Sequence, residues 1–258
     1  MNHQFIPNRK GQRIAVITEA VDHSRGLVFV MHGLGGFKEQ PHIETMAQAF
    51  REKGFSVVRF DATNSFGESD GNYEDATTTN YYQDLEDVLM WSKKQTWFQM
   101  PFILVGHSLG AMSVMLYAEK FPEQVQALAP ISAVASGELS FEAHSPEMLA
   151  EWERTGWRIT ESVSRPGTVK KLKWSHMEDR LKYSVLEKID QLTMPVLLIV
   201  GEFDSSTPLE HQELIYDALP GEKELHIIED AEHTFREPKH LAELKRIFSA
   251  WIDFIAPA

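Results

Sequence analysis

Cysteine is absent from the 258 residues, which removes disulfides, thiolate metal sites and cysteine nucleophiles together. Positive charge is scarce as well: 25 Lys and Arg stand against 38 Asp and Glu, a formal net charge of −13. No basic stripe offsets it, so phosphate backbones and anionic membrane surfaces are repelled, and nucleic acid is a poor partner. Long apolar runs are missing too. Residues 27–31 and 196–200 are the clearest candidates, and both fall far short of the roughly 20 residues a spanning helix needs. Residues 1–22 hold no apolar stretch of the secretory kind. The expectation is a soluble, cytoplasmic protein with no integral membrane segment.

What is present is the composition of a folded domain, 43% hydrophobic and 24% charged. The length suits one large α/β domain, or a domain with a modest insertion. Short apolar runs alternate with helical patterns, which predicts a mostly parallel sheet with helices on both faces. Strands are expected at 14–18, 27–31, 56–60, 102–105, 125–131, 196–200 and 225–228, and helices at 43–53, 81–94 and 111–120. Gly54 suits the left-handed position that closes the first helix. The threonines before Tyr81 are capping candidates for the second. A last helix begins near Pro238, with Leu241, Leu244, Ile247, Phe248, Trp251, Ile252 and Ile255 on one stripe.

Residues 137–190 break this rhythm and read as a cap inserted into a core formed by 1–136 and 191–258. The stretch carries Trp152, Trp157 and Trp174, three of six tryptophans, and nine basic against ten acidic residues. It is near neutral inside an acidic chain, so an uncharged or aromatic substrate is expected to meet the protein there, with the three tryptophans as candidate contacts. Residues 165–168, Arg-Pro-Gly-Thr, fit a type II turn. A helix and hairpin that simply cover one end of the sheet are the plainer alternative.

The sharpest chemical signal is Gly106-His107-Ser108-Leu109-Gly110, directly after one expected strand and before a helix. The string is too short to be specific alone; its context carries it. A tight strand–serine–helix turn needs glycines two residues either side and lifts the hydroxyl above the strand end. The helix start behind it offers unpaired N–H groups to developing negative charge.

A serine needs a base to take its proton. Of eleven histidines, His233 lies in the loop after the last strand, on the rim where loops beyond parallel strands converge. His107 is expected to be a packing residue, since side chains next to Ser108 in a tight turn diverge. His3, His23, His42, His211 and His240 read as surface residues, and His144 and His176 as solvated residues of the insertion, with substrate contact the alternative. The base in turn needs a carboxylate. Asp204, after the strand at 196–200, is favoured over Glu202, Asp230 and Glu232. His32-Gly33-Leu34-Gly35-Gly36 follows the strand at 27–31, so the backbone N–H groups of Leu34 and Leu109 could together hold an oxyanion.

In order, these motifs resemble the α/β-hydrolase superfamily, from Leu27 to Ile255. Phe60-Asp61 through Gly67-Glu68-Ser69-Asp70-Gly71, with the insertion length, resembles the cinnamoyl or feruloyl esterase, monoglyceride lipase and serine aminopeptidase-like group. The resemblance implies an eight-stranded sheet with a cap, no cofactor or metal, and two-step acyl transfer through Ser108, His233 and Asp204. Two positions depart from the feruloyl esterase pattern: Leu109 stands where glutamine is common, and Ala111 where glycine ends the turn. Ser65-Phe66-Gly67 stands where the group usually has Gly-His-Gly or Gly-Phe-Gly. The expected function is a serine carboxylesterase on small to medium acyl or aryl esters, hydroxycinnamoyl esters among them. Aminopeptidase, thioesterase, monoacylglycerol lipase and C–C hydrolase chemistry on the same residues stay open, as does a non-catalytic ligand-binding relative. The partner is a small-molecule ester; oligomeric state is not readable, and a homodimer stays open.

Overall fold

Runs of five to seven apolar residues, rich in Val and Ile and bounded by Gly, Pro and polar turns, make strands that can be buried on both faces. The computed structural model describes residues 1–161, 167 and 169–256. Its strands in chain order are β1 (Asn2–Pro7), β2 (Arg13–Glu19), β3 (Leu27–Met31), β4 (Ser56–Phe60), β5 (Phe102–His107) and β6 (Val125–Ile131), then β7 (Trp157–Glu161), β8 (Val169–Lys173), β9 (Val196–Gly201) and β10 (Lys223–Ile228). Eight of them form one sheet in the order β1-β2-β4-β3-β5-β6-β9-β10, and β7 and β8 pair separately. β1 and β2 run antiparallel to their neighbours; from β4 onward every pairing is parallel.

Alternation along the central strands divides the core in two. Leu27, Phe29 and Met31 pack with Leu85 and Val88 of α2 (Thr78–Ser92) and Met112 of α3 (Leu109–Lys120). Val28 and Val30 face the other way, onto Met46 and Phe50 of α1 (Pro41–Glu52) and Phe248 of a long C-terminal helix, Pro238–Ile255. Thr77 caps α2 by accepting from the Asn80 N–H at 3.0 Å. Gly54 closes α1 at φ +81°.

Two elements lie outside the expectations. β1 carries only Phe5 and Ile6 as large apolar residues and buries only the second, as an edge strand can. A helix at Leu209–Ala218 buries only Gln212 and Ile215, so no apolar stripe announces it. His42 and His240, expected at the surface, are buried. Each shares its helix's inward stripe: His42 with Met46 and Phe50, His240 with Leu244, Ile247 and Trp251.

The insertion leaves the sheet at Ser136 and returns at Ser184, where the two residues bridge. Between them run α4 (Gly137–Glu142), α5 (Pro146–Thr155), the β7–β8 hairpin and α6 (Ser175–Arg180); the two later helices, α7 (Leu209–Ala218) and α8 (Pro238–Ile255), belong to the sheet layers. α5 starts on Ser145, which accepts from the Met148 N–H, with Pro146 in the first turn. The type II turn expected at 165–168 lies outside the described residues save for Gly167, at φ +83°. His176 is buried, not solvated: its Nδ1–H donates to the Ala76 carbonyl at 2.8 Å, and burial holds its pKa well below the ordinary histidine value. Among the described residues no helix is long and apolar enough to cross a membrane.

Candidate active site

Parallel strands deliver their following loops to one rim, and four of those loops meet above β3, β5, β9 and β10. At the end of β5 the chain turns directly into α3 with Ser108 at φ +56°, ψ −116°, a conformation that costs about 1–3 kcal/mol for an L residue. The neighbouring glycines make room for it. A Cβ on Gly106 would come within 2.4 Å of the Gly110 carbonyl oxygen, and one on Gly110 within 2.5 Å of the His32 carbonyl oxygen. Ser108 N–H donates to Ile131 O at 2.9 Å, and its carbonyl accepts from Met112 N–H at 3.1 Å, so the strained residue is clamped from both sides.

Ser108 Oγ lies 3.0 Å from His233 Nε2, and His233 Nδ1 lies 2.8 Å from Asp204 Oδ2. Asp204 is acceptor only, so Nδ1 carries the proton and Nε2 is free to accept from the serine hydroxyl. Burial alone would raise the Asp204 carboxyl; its bond to His233 and the Thr207 N–H outweigh that and hold it below the ordinary carboxylate range. The Ser206 and Thr207 N–H groups reach Oδ1 at 2.9 Å each, and the Thr207 hydroxyl reaches Oδ2 at 2.9 Å. The rival carboxylates are placed elsewhere: Glu202 accepts from the Asp230 N–H at 3.0 Å, and Asp230 pairs with Lys239 at 2.9 Å. Glu232 lines the same cavity as Ser108.

Two backbone donors stand beside the serine. Leu109 opens α3, where helix N–H groups lack intrahelical acceptors. Leu34 sits in a loop whose other groups are tied down: Gly35 N–H to the Tyr81 hydroxyl at 3.2 Å, Gly36 N–H to Gly33 O at 3.0 Å, and the Gly33 carbonyl to His32 Nδ1–H at 2.7 Å. Among the described residues neither the Leu34 nor the Leu109 N–H donates to another protein atom. A Cβ on Gly33 would come within 2.8 Å of the Ser108 Cβ, so only glycine lets this loop approach. All of this opens into a cavity of about 310 Å³, lined by Leu34, Ser108, Phe203 and His233 together with Lys170 and Arg236.

The tryptophans are not there. None of Trp152, Trp157 and Trp174 lines this cavity, so the structure does not bring them to the place expected for substrate. Trp152 is buried, donates from Nε1 to Leu172 O at 3.0 Å and meets Trp174 edge-on at 5.4 Å. An inserted segment needs its own apolar centre, and these rings supply it. Trp157 stacks instead with Lys173.

Several residues that fix the geometry carry no sequence signal for it. His107 is buried as expected, but it also donates from Nε2 to the His233 carbonyl at 2.7 Å, with burial lowering its pKa and keeping it neutral. His42 packs on its other side, ring centroids 4.5 Å apart. His32 accepts from the Ala62 N–H at 3.0 Å, tying the Leu34 loop to β4. Lys38 is fully buried and bonds Asp61 at 2.8 Å and Glu68 at 2.6 Å; burial opposes its charge, but the carboxylates around it raise its pKa. That network gives Asp61 and Glu68 of the 60–71 motif a structural part. Among the described residues no group of three His, Asp or Glu side chains is placed to hold a metal ion.

Residues 22–165 match the family described as serine aminopeptidase, S33. The chain belongs to that family. Membership makes it a hydrolase of the α/β-hydrolase superfamily. Its relatives include an uncharacterized 31.7 kDa protein of the traX-finO intergenic region of Escherichia coli, 27% identical over 239 residues, covering 80% of this chain and 82% of that one. Mouse mitochondrial palmitoyl-protein thioesterase ABHD10 is 25% identical over 221 residues, covering 85% of this chain and 70% of the relative. Among solved structures, Est1E from Butyrivibrio proteoclasticus with ferulic acid bound has a TM-score of 0.80 at 22% identity, covering 96% of this chain and 97% of that one. Mouse alpha/beta hydrolase domain-containing protein 10 has a TM-score of 0.81 at 20% identity, covering 99% and 100%. For this family member the structural matches establish the α/β-hydrolase fold.

Proposed function

We propose that the protein is a serine carboxylesterase that works through an acyl-enzyme on Ser108. The observation that carries the reading is the unbroken relay of 3.0 Å from Ser108 to His233 and 2.8 Å from His233 to Asp204, opening into a cavity. His233 Nε2 takes the hydroxyl proton as Ser108 Oγ attacks the ester carbonyl carbon. The N–H groups of Leu34 and Leu109 receive the oxyanion, each worth on the order of 3 kcal/mol in the transition state. Asp204 stabilises the imidazolium. The imidazolium then protonates the departing alcohol, and the acyl group stays on Ser108. Water, deprotonated by His233, attacks that ester; the acid leaves and Ser108 regains its proton. Residues 137–190 act as a cap, since Lys170 from that segment lines the cavity.

Replacing Ser108 with Ala lowers kcat/KM on a para-nitrophenyl ester by roughly 10⁴-fold; hydrolysis persisting in a clean S108A preparation contradicts the reading. A second reading is thioester hydrolysis, favoured by the name of the mouse relative; the same relay serves it, and a matched thioester in the same assay separates the two. Peptide hydrolysis from a free N-terminus ranks lower, because Lys170 and Arg236 line the cavity against the single carboxylate of Glu232 and disfavour an ammonium group.

A further inference from the structure

The hairpin β7–β8 is where the insertion reaches the Ser108 cavity, through Lys170. Residues opposite one another in an antiparallel pair share a face, and the register sets Thr160 against Lys170 and Arg158 against Leu172. Leu172 is 2% exposed, so theirs is the inward face; Ile159 and Val169, on the other, are 61% and 57% exposed. Arg158 and Lys170 are thus diagonal neighbours on the underside of the hairpin.

Cations turned inward ordinarily meet carboxylates. Here they do not. Arg158 Nη1 donates to the neutral acceptor His144 Nε2 at 2.9 Å, while His144 Nδ1–H is on the Ser140 carbonyl at 2.7 Å. Arg180, 8% exposed, donates from Nη1 to the Ser140 hydroxyl at 2.7 Å, and its buried Nε has no partner among the described residues. Lys170 Nζ stands 5.9 Å from the ring of Tyr73, which itself abuts Gly35 in the Leu34 loop. Among the described residues the ion pairs of the insertion belong to Arg154, Lys173 and Lys182. Asp179 of α6 is taken up by the Thr79 N–H and hydroxyl at 2.8 and 2.7 Å. Residues 162–166 and 168 include no Asp or Glu. Burial, and then Arg158, press down the pKa of both Arg180 and Lys170, while Asp179 works the other way on Arg180.

In a chain of net charge −13, a cationic cluster that reaches the Ser108 cavity through Lys170 is an anion site. We infer that the substrate is an ester bearing a free carboxylate, held by Lys170 under the hairpin, with Arg158 behind it outside the cavity lining, while its ester carbonyl meets Ser108. The inference rests on the esterase reading above and names its substrate class. The Lys170 ammonium donates to the carboxylate, and Arg158 adds to the positive field there. The near-neutral composition of the insertion conceals this sidedness: Glu147, Glu151, Glu153 and Glu161 are exposed, and the unpaired cations lie beneath.

Matched esters offered to the full chain test it. Monoethyl adipate against ethyl hexanoate places the carboxylate on the acyl side; para-acetoxybenzoate against its methyl ester places it on the alcohol side. The charged member of one pair is expected to show a kcat/KM at least about tenfold higher, with the advantage shrinking as salt rises. Lys170→Gln erases that ratio, and Arg158→Gln, which lies outside the cavity lining, reduces it. Lys171→Gln, which removes the same charge from the hairpin's outer face, leaves it unchanged. Because Lys170 is only half-buried, its variant folds even where the Arg158 variant does not. No preference in either pair, with the neutral esters still hydrolysed, overturns the inference and leaves the esterase reading standing. An equal loss of preference in Lys171→Gln overturns it too, since the general field would then be the cause. Failure to hydrolyse any of the four esters overturns both.

Discussion

Ser108 holds a backbone conformation that glycine adopts freely and other residues do not. S108A keeps that strain, whereas Ser108→Gly relieves it. Urea unfolding should therefore find the glycine variant about 1 kcal/mol more stable than the alanine variant, with both inactive; equal stability would mean that the turn is not strained. Ser108, Asp204 and His233, which the structure brings within hydrogen-bond reach, could be singled out in the sequence because each lies in a polar or glycine-rich loop after a strand. Their supports could not. His107 acts on the His233 carbonyl 126 residues away, and Tyr81 on the Gly35 N–H 46 residues away. Such bonds depend on the final packing of loops and leave no local pattern. His107→Phe keeps a buried ring and removes the donor, so kcat is expected to drop about tenfold with KM and thermal midpoint little changed. A shift confined to the thermal midpoint would make His107 a packing residue only.

Elements with a strong period were readable, and elements held by a neighbour were not. Residues 125–131 form β6 with the expected ends, and α8 starts at Pro238 where proline suits a first turn. β1 and α7 bury too little of themselves to show a stripe. In residues 137–190 the part played by the aromatic residues was not legible, because composition alone does not say which way a ring points. Trp152 is a pillar of that segment, so Trp152→Ala should cost about 3–5 kcal/mol of stability, measured by calorimetry or urea. Trp157→Ala, at a ring that stacks with Lys173 outside the cavity, should leave ester kcat/KM within about twofold. A large rise in KM for that variant would return the ring to the substrate site.

For the molecule as a whole, the net charge of −13 argued against anionic partners but said nothing of the cationic inward face of the β7–β8 hairpin, since a sum over the chain hides an arrangement. Buried titratable groups give stability a definite pH dependence. His32, His42, His107 and His176 are held neutral by burial, with folded pKa values below the ordinary 6.5. The unfolded chain takes up those protons first, so stability is present above about pH 6.5 and is lost as pH falls below it. Glu119 works in the opposite sense. Burial pushes its carboxyl up to about 8 from an ordinary 4.5, so stability is lost as pH rises between those values. Glu119→Gln should therefore stabilise the protein by roughly 4 kcal/mol at pH 8 and by little at pH 4.5. A benefit independent of pH would show that the carboxyl is not held protonated.

The proposed role of Ser108 as nucleophile is tested most directly by treating the full chain with a fluorophosphonate probe and mapping the modified peptide by mass spectrometry. One adduct on Ser108, absent after Ser108→Ala and slowed when His233 is replaced by Ala, is the expected result. An adduct on another serine, or none on Ser108 while the protein hydrolyses esters, would contradict the account.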